Sequence, residues 1–180
     1  MNFELQELNQ QQMTHIQTRV EGNSVQIDDI VNGIITPYCE GLDRYVAFIL
    51  DCLKDGTNPP TTDELEDFCL NLSTNLYFAA GMCENLGIRD DIAKAVYKEV
   101  YNASRNSLTS GTVADKDSIA ALQSQEEALI SNAYTRAYKT MKAKVENAQE
   151  LLSSCKKVLS HRIQQEELTH FSLNQDSRRQ

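Results

Sequence analysis

Residues 130–163 read ISNAYTRAYKTMKAKVENAQELLSSCKKVLSHRI. Ile130, Tyr134, Ala137, Met141, Val145, Ala148, Leu152, Cys155, Leu159 and Ile163 follow one another at steps of three or four, which draws one apolar stripe along a helix. The stripe can be followed back to about Ile119, and no Pro or Gly occurs after Gly111. The segment therefore predicts a single helix over about residues 115–168, roughly 45–55 residues and on the order of 70–80 Å long. Ile130, Met141, Leu152 and Ile163 fall eleven apart, a period close to that of a straight helix and unlike a strict heptad. Small residues within the stripe, Ala137 and Ala148, allow close approach of another helix. So long a helix is expected to meet partner helices, and Ile130, Tyr134, Ala137, Met141, Val145, Ala148, Leu152, Leu159 and Ile163 form the expected oligomer interface.

Outward from this stretch, the rest of the chain also reads as helix. Asn2–Val20 is Gln-rich with few apolar points, and Glu21-Gly22-Asn23 ends it. A second helix is predicted from Val25 to Lys54, with Ile27, Ile30, Val31, Ile34, Ile35, Tyr38, Leu42, Tyr45, Val46, Ile49, Leu50 and Leu53 on its apolar face and a kink or split near Pro37. Asp55-Gly56-Thr57-Asn58-Pro59-Pro60 is the clearest break in the chain. Thr61 or Thr62 then caps a helix with Asp63 and Glu64 in its first turn. Its predicted apolar face is Leu65, Phe68, Cys69, Leu72, Leu76, Phe78, Ala79, Met82, Cys83 and Leu86, with Gly87 as its stop. Another helix follows to Leu108, with Ile92, Val96, Val100 and Ala103 inward, before a polar turn at Gly111. The expected organisation is an acidic N-terminal helical segment over 1–60, a helical core over 61–171 and a disordered tail over 172–180. The fold class is all-α, a helical bundle with one long C-terminal amphipathic helix.

Charge is shared unevenly. The total is −9, but residues 1–90 carry 15 acids against four bases and residues 91–180 carry 11 acids against 13 bases. Between 133 and 162 seven bases, Arg136, Lys139, Lys142, Lys144, Lys156, Lys157 and Arg162, face only Glu146 and Glu150. An acidic total argues against a strong autonomous nucleic-acid binder, yet the split leaves a local basic surface beside the stripe. Those seven are the candidate nucleic-acid-binding residues, with oligomerisation multiplying them into a charged ring or groove. The same lysines serve equally as solvated partners of glutamates across a helix interface.

Catalytic chemistry finds little support. His15, His161 and His170 lie far apart, and none has metal-ligand spacing. Leu108-Thr109-Ser110-Gly111-Thr112 has one glycine and no lysine to cradle a phosphate. Asp63, Glu64, Glu66 and Asp67 sit in a first helical turn, where carboxylates favour the dipole. Five cysteines (Cys39, Cys52, Cys69, Cys83, Cys155) fall on apolar helical faces without zinc spacing, so they read as reduced core thiols of an intracellular protein. No secretory leader and no membrane span are expected. The chain reads as non-enzymatic, with no cofactor, metal or membrane partner.

Thr112-Val113-Ala114-Asp115-Lys116-Asp117, the pattern Tyr134-x-x-Ala137-Tyr138-Lys139-x-x-Lys142-x-Lys144, and Lys156-Lys157-Val158-Leu159-Ser160-His161-Arg162-Ile163 together resemble the C-terminal half of UvsY-type recombination mediators of tailed phages. The resemblance covers about residues 65–165. It implies a small helical homo-oligomer without enzymatic activity, working in the host cytoplasm. Such a protein binds single-stranded DNA and loads a recombinase onto strands coated with single-strand-binding protein, in recombination, repair and replication. Two departures stand out. About 60 further acidic residues precede the matched region, and Lys94-Ala95-Val96-Tyr97 lacks the arginine of the family's Lys-Ala-Arg-Leu DNA-contact motif. The basic flank from Arg136 to Lys144 is then expected to carry the DNA contact. Two other readings fit the same residues: a helical virion structural or scaffolding protein, and an acidic protein-binding inhibitor acting through Asp63, Glu64, Glu66 and Asp67.

Overall fold

The computed structural model describes residues 2–54 and 59–176; within them, side chains are placed from Ile27 to Leu168 and at Met13, Thr14, Thr18, Glu21 and Val25. The protein is all-α, with four helices and no strand among the described residues: α1 (Asn2–Lys54), α2 (Thr62–Ser107), α3 (Val113–Gln123) and α4 (Gln125–Asp176). No helix among them is long and apolar enough to cross a membrane.

The helices are longer than the sequence's breakers suggest. α1 is one helix of 53 residues that runs through Gly22 and Pro37, where two segments were expected. Pro37 has no N–H for the carbonyl of Gly33, but both residues lie on the exposed side, where that carbonyl faces solvent. One residue earlier the Thr36 hydroxyl donates to the Asn32 carbonyl at 2.7 Å. α2, 46 residues long, likewise passes through Gly87. That glycine is no stop: a Cβ there would lie 3.1 Å from Cε2 of Tyr138, so Gly87 gives the tyrosine ring of α4 its place against α2.

The long C-terminal helix, by contrast, is parted. Ser124 stands between α3 and α4 at φ −103°, ψ 19°. Its backbone N–H and its hydroxyl both donate to the Ala120 carbonyl, at 3.0 and 2.8 Å, and the side chain is fully buried. Such back-bonding competes with the regular ladder and bends helices, and it accompanies the one-residue interruption here. Helix α4 then runs to Asp176, so residues 172–176 are helical where a disordered tail was expected; residues 177–180, like the break at 55–58, lie outside the described residues.

Helix starts follow the capping logic. Thr61 Oγ1 accepts from the Glu64 N–H at 3.2 Å, and Glu64 Oε2 accepts from the Thr61 N–H at 2.7 Å. Thr112 and Asp115 repeat this box at the start of α3. The hydrogen bonds from each threonine hold the Glu64 and Asp115 carboxyls below their ordinary values. Gly111, at φ +104°, makes the turn before α3 in a conformation that side chains other than glycine's rarely adopt.

The chain divides into two compact units, and the division does not fall at residue 60. Residues up to Pro37 with Gly87–Tyr138 form the first, and Tyr38–Leu86 with the residues from Lys139 on form the second. The N-terminal helix is therefore part of both units and not a separate acidic segment.

In the second unit, segments of α1, α2 and α4 pack into a bundle. Cys39, Leu42 and Ile49 of α1, Leu65, Phe68, Leu72, Leu76, Ala79 and Leu86 of α2, and Met141, Val145, Ala148 and Cys155 of α4 are buried. Polar contacts fix the seams. Tyr45 of α1 donates to the Asp67 carbonyl at 3.3 Å, and Thr62 donates to Glu166 at 2.9 Å. Phe48 and Phe68 meet edge to face at 5.8 Å.

The first unit has a thinner core: Val31, Ile35, Ala120, Ser124, Ser131 and Ala137 are buried there among the described residues. Asp90, buried on α2, accepts from Thr135 of α4 at 2.6 Å and from Lys94 at 2.7 Å. Arg105 of α2 meets Asp117 of α3 at 2.5 Å.

Several predicted inward residues face solvent instead: Ile30, Leu50, Leu53, Phe78, Met82, Ile92 and Val96. The sequence's apolar faces were drawn wider than the core that each helix contributes.

Three outcomes test this packing. Met141→Ala should cost about 2–5 kcal/mol in a urea titration, with a midpoint independent of protein concentration, and Ile163→Ala less than about 1 kcal/mol. Gly87→Val should destabilise by about 1–3 kcal/mol through its clash with Tyr138. Gly81→Ala, with open space around it, should stabilise by about 0.5–1 kcal/mol. All five cysteines are free; burial of Cys39, with its hydrogen bond to Asp43, pushes that thiol up to about 11. Under native alkylation Cys52, the one not buried, should react first, and Cys39, Cys69, Cys83 and Cys155 only on unfolding.

Candidate nucleic-acid interface

The seven basic candidates on α4 do not act as one set. Lys144 points into the second unit, where its ammonium donates to both oxygens of Asp43 at 2.8 Å. The same carboxylate accepts from the Cys39 thiol at 3.2 Å, so Lys144 belongs to a structural cluster between α1 and α4. Arg162 also turns inward: its guanidinium donates to the Pro60 carbonyl, beside a cavity of about 240 Å³ lined by Leu53, Leu65, Cys155 and Val158. Both groups are thus already engaged within the second unit. Each is half-buried at the edge of the buried side of α4, where helical spacing puts residue 144 a turn from Met141 and Ala148, and residue 162 a turn from Leu159.

Lys139, Lys142, Lys156 and Lys157 remain exposed in the second unit, and Arg136 is exposed in the first. Lys142 reaches Glu146 only at 4.0 Å, with both side chains 59% exposed. The other four carry no ion pair among the described residues. From Lys139 to Lys157 the helix rises about 27 Å. This part of α4 presents two lysine pairs separated by four turns, with Glu146 and Glu150 exposed between them.

Of the nine residues of the expected oligomer interface, four are core: Ala137, Met141, Val145 and Ala148 are 7% exposed or less. Tyr134, Leu152 and Leu159 are half-buried, and only Ile130 and Ile163 are exposed, at 47% and 38%. In the second unit this side of α4 packs with the buried residues of α1 and α2 named above.

Tyr134 lines an apolar groove of about 320 Å³ in the first unit with Ile92, Ala93, Val96 and Ile130, and Tyr138 packs on Gly87. Both tyrosines are half-buried. The groove also holds Glu127, whose Oε2 is buried without a hydrogen-bond partner. Within Lys94-Ala95-Val96-Tyr97, Lys94 pairs with Asp90, whose hydrogen bond raises the lysine's pKa. Among the acidic candidates, Asp63, Glu66 and Asp67 are exposed, while Glu64 is engaged in the cap of α2.

Exposed apolar residues on α2 went unread as surface: Leu70, Tyr77 and Phe78 are 68%, 78% and 61% exposed. The signal was present, since Leu70 and Tyr77 lie outside the 3–4 spacing that links Leu65, Phe68, Leu72, Leu76 and Ala79. Comparison with family models, with curated proteins and with solved structures finds no match to this chain.

Proposed function

We propose that this chain is a non-enzymatic helical protein that binds single-stranded DNA along the exposed side of α4 and serves as a recombination mediator of the UvsY type. The observation that carries the reading is the exposure of Lys139, Lys142, Lys156 and Lys157 on one helix of an otherwise acidic chain. Phosphates are neutralised by ammonium groups that the fold has not already consumed, and these four meet that condition better than Lys144 or Arg162. The resemblance over residues 65–165 adds the expectation of a recombinase and a single-strand-binding protein as partners. A second reading, a helical structural or scaffolding component, draws support from the exposed Leu70, Tyr77 and Phe78, since apolar side chains grouped on a surface mark contact sites.

The test is fluorescence anisotropy of a labelled oligo-dT across a salt series. Four phosphate contacts give a slope of log K against log salt of about −3 for single strands. Lys139→Ala with Lys157→Ala should weaken binding and flatten that slope by about 1.4. Absence of binding at low salt, or a slope unchanged by the double substitution, would overturn the reading.

A further inference from the structure

The second unit holds a guanidinium that no acid answers. Arg162 of α4 is half-buried, donates to the Pro60 carbonyl, and forms no ion pair among the described residues. A charge partly withdrawn from water is unfavourable unless a counter-charge meets it. The carboxylates placed to do so are engaged elsewhere. Glu166, one turn further along α4, accepts from Thr62 at 2.9 Å, and Glu64 accepts from the Thr61 N–H in the cap of α2. A guanidinium offers several N–H donors in a rigid fork that matches a carboxylate. Within the protein this one makes a single contact, to a neutral carbonyl.

Arg162 also stands in the wall of the cavity of about 240 Å³ between the end of α1, the Pro59-Pro60 link, the start of α2 and α4. Two lining residues belong to the core: Leu65 is fully buried and Cys155 nearly so. Others are apolar yet open to solvent, with Leu53 and Val158 exposed at 42% and 47%. The cavity therefore leads from solvent to the core over apolar side chains. Ser154 also lines it, but its hydroxyl donates to the Glu150 carbonyl at 3.0 Å. The Cys155 thiol is pushed up by burial and stays neutral. Arg162 is thus the one charge on an otherwise apolar wall.

These features define an occupant. Ligand pockets are mostly apolar, with a few polar groups that fix orientation, and commonly measure about 300–1,000 Å³. This cavity is smaller, so it suits a small molecule with a hydrocarbon body. A single cation selects a single negative charge. Lys156 and Lys157, exposed on the same helix, do not line the cavity, so no second cation is present for a dianion such as a phosphate monoester. We propose that this cavity binds a small aliphatic carboxylate, whose chain lies against Leu65 and Cys155 and whose carboxylate pairs with Arg162. Such a ligand touches α1, α2 and α4 together and stabilises their packing. The site does not depend on nucleic-acid binding.

The test is calorimetric titration of the full chain at neutral pH with octanoate, kept below its micelle-forming range. Octanol carries the chain without the charge, and acetate the charge without the chain. Octanoate should bind, and should raise the melting temperature as its concentration rises. Octanol and acetate should each bind about tenfold more weakly or less well still. This comparison tests the charge and the cavity without any substitution. Arg162→Gln keeps a donor for the Pro60 carbonyl but removes the charge. It should weaken octanoate on the order of tenfold and leave octanol unchanged. Val158→Trp, at a side chain 47% exposed, should obstruct the cavity and abolish binding of both, with the melting curve of the unliganded chain little changed. Absence of octanoate binding, octanol binding as tightly as octanoate, or an octanoate affinity that both substitutions leave intact would overturn the proposal.

Discussion

Burial of one side of α4 under helices of its own chain is the constraint from which the rest of the molecule follows. Met141 and Ala137 are fully buried, and Ala148 and Cys155 nearly so. Full burial of a side chain the size of Met141's contributes roughly 1.5–3 kcal/mol. Once that side is committed to the core, residues on the same arc are committed with it. Lys144 falls there and is held by Asp43; Arg162 falls there and caps the Pro60 carbonyl. The basic residues left to solvent are those on the remaining arc. Packing therefore selects which lysines are available for anything else the protein does.

The class of the fold and the course of the stripe were legible from the sequence, because a 3–4 spacing of apolar residues leaves little choice but helix. Helix ends were less legible. Gly22, Pro37 and Gly87 read as breakers, yet α1 and α2 pass through them. A local propensity cost of about 1 kcal/mol for glycine is small beside the burial gained along a continuous helix. Ser124, which no propensity scale marks as a breaker, stands at the one interruption between α3 and α4.

The site divides along the same line. Spacing identified the basic residues, but it could not tell Lys144 from Lys142, two positions apart and opposite in fate. Distinguishing them requires Asp43, a residue 101 positions away in the chain. Leu70 and Tyr77 show the converse. They were omitted from the predicted core face, correctly, but a residue's absence from one face becomes informative only when the other face is known to be unfilled.

Asp90 is a buried carboxylate in the first unit. Its side chain is only 4% exposed, and its oxygens take Thr135 from one helix and Lys94 from its own. Apolar stripes of similar width tolerate sliding past one another by a turn, since one aliphatic contact replaces another at little loss. A buried carboxylate does not: displaced by about 5.4 Å, it would leave the Thr135 hydroxyl behind and remain in the core with an unmet acceptor. The cost falls on the wrong alignment and not on the right one. Asp90 thus acts less as a source of stability than as an index mark, making one register of α2 against α4 the one in which its own carboxylate and the Thr135 hydroxyl answer each other.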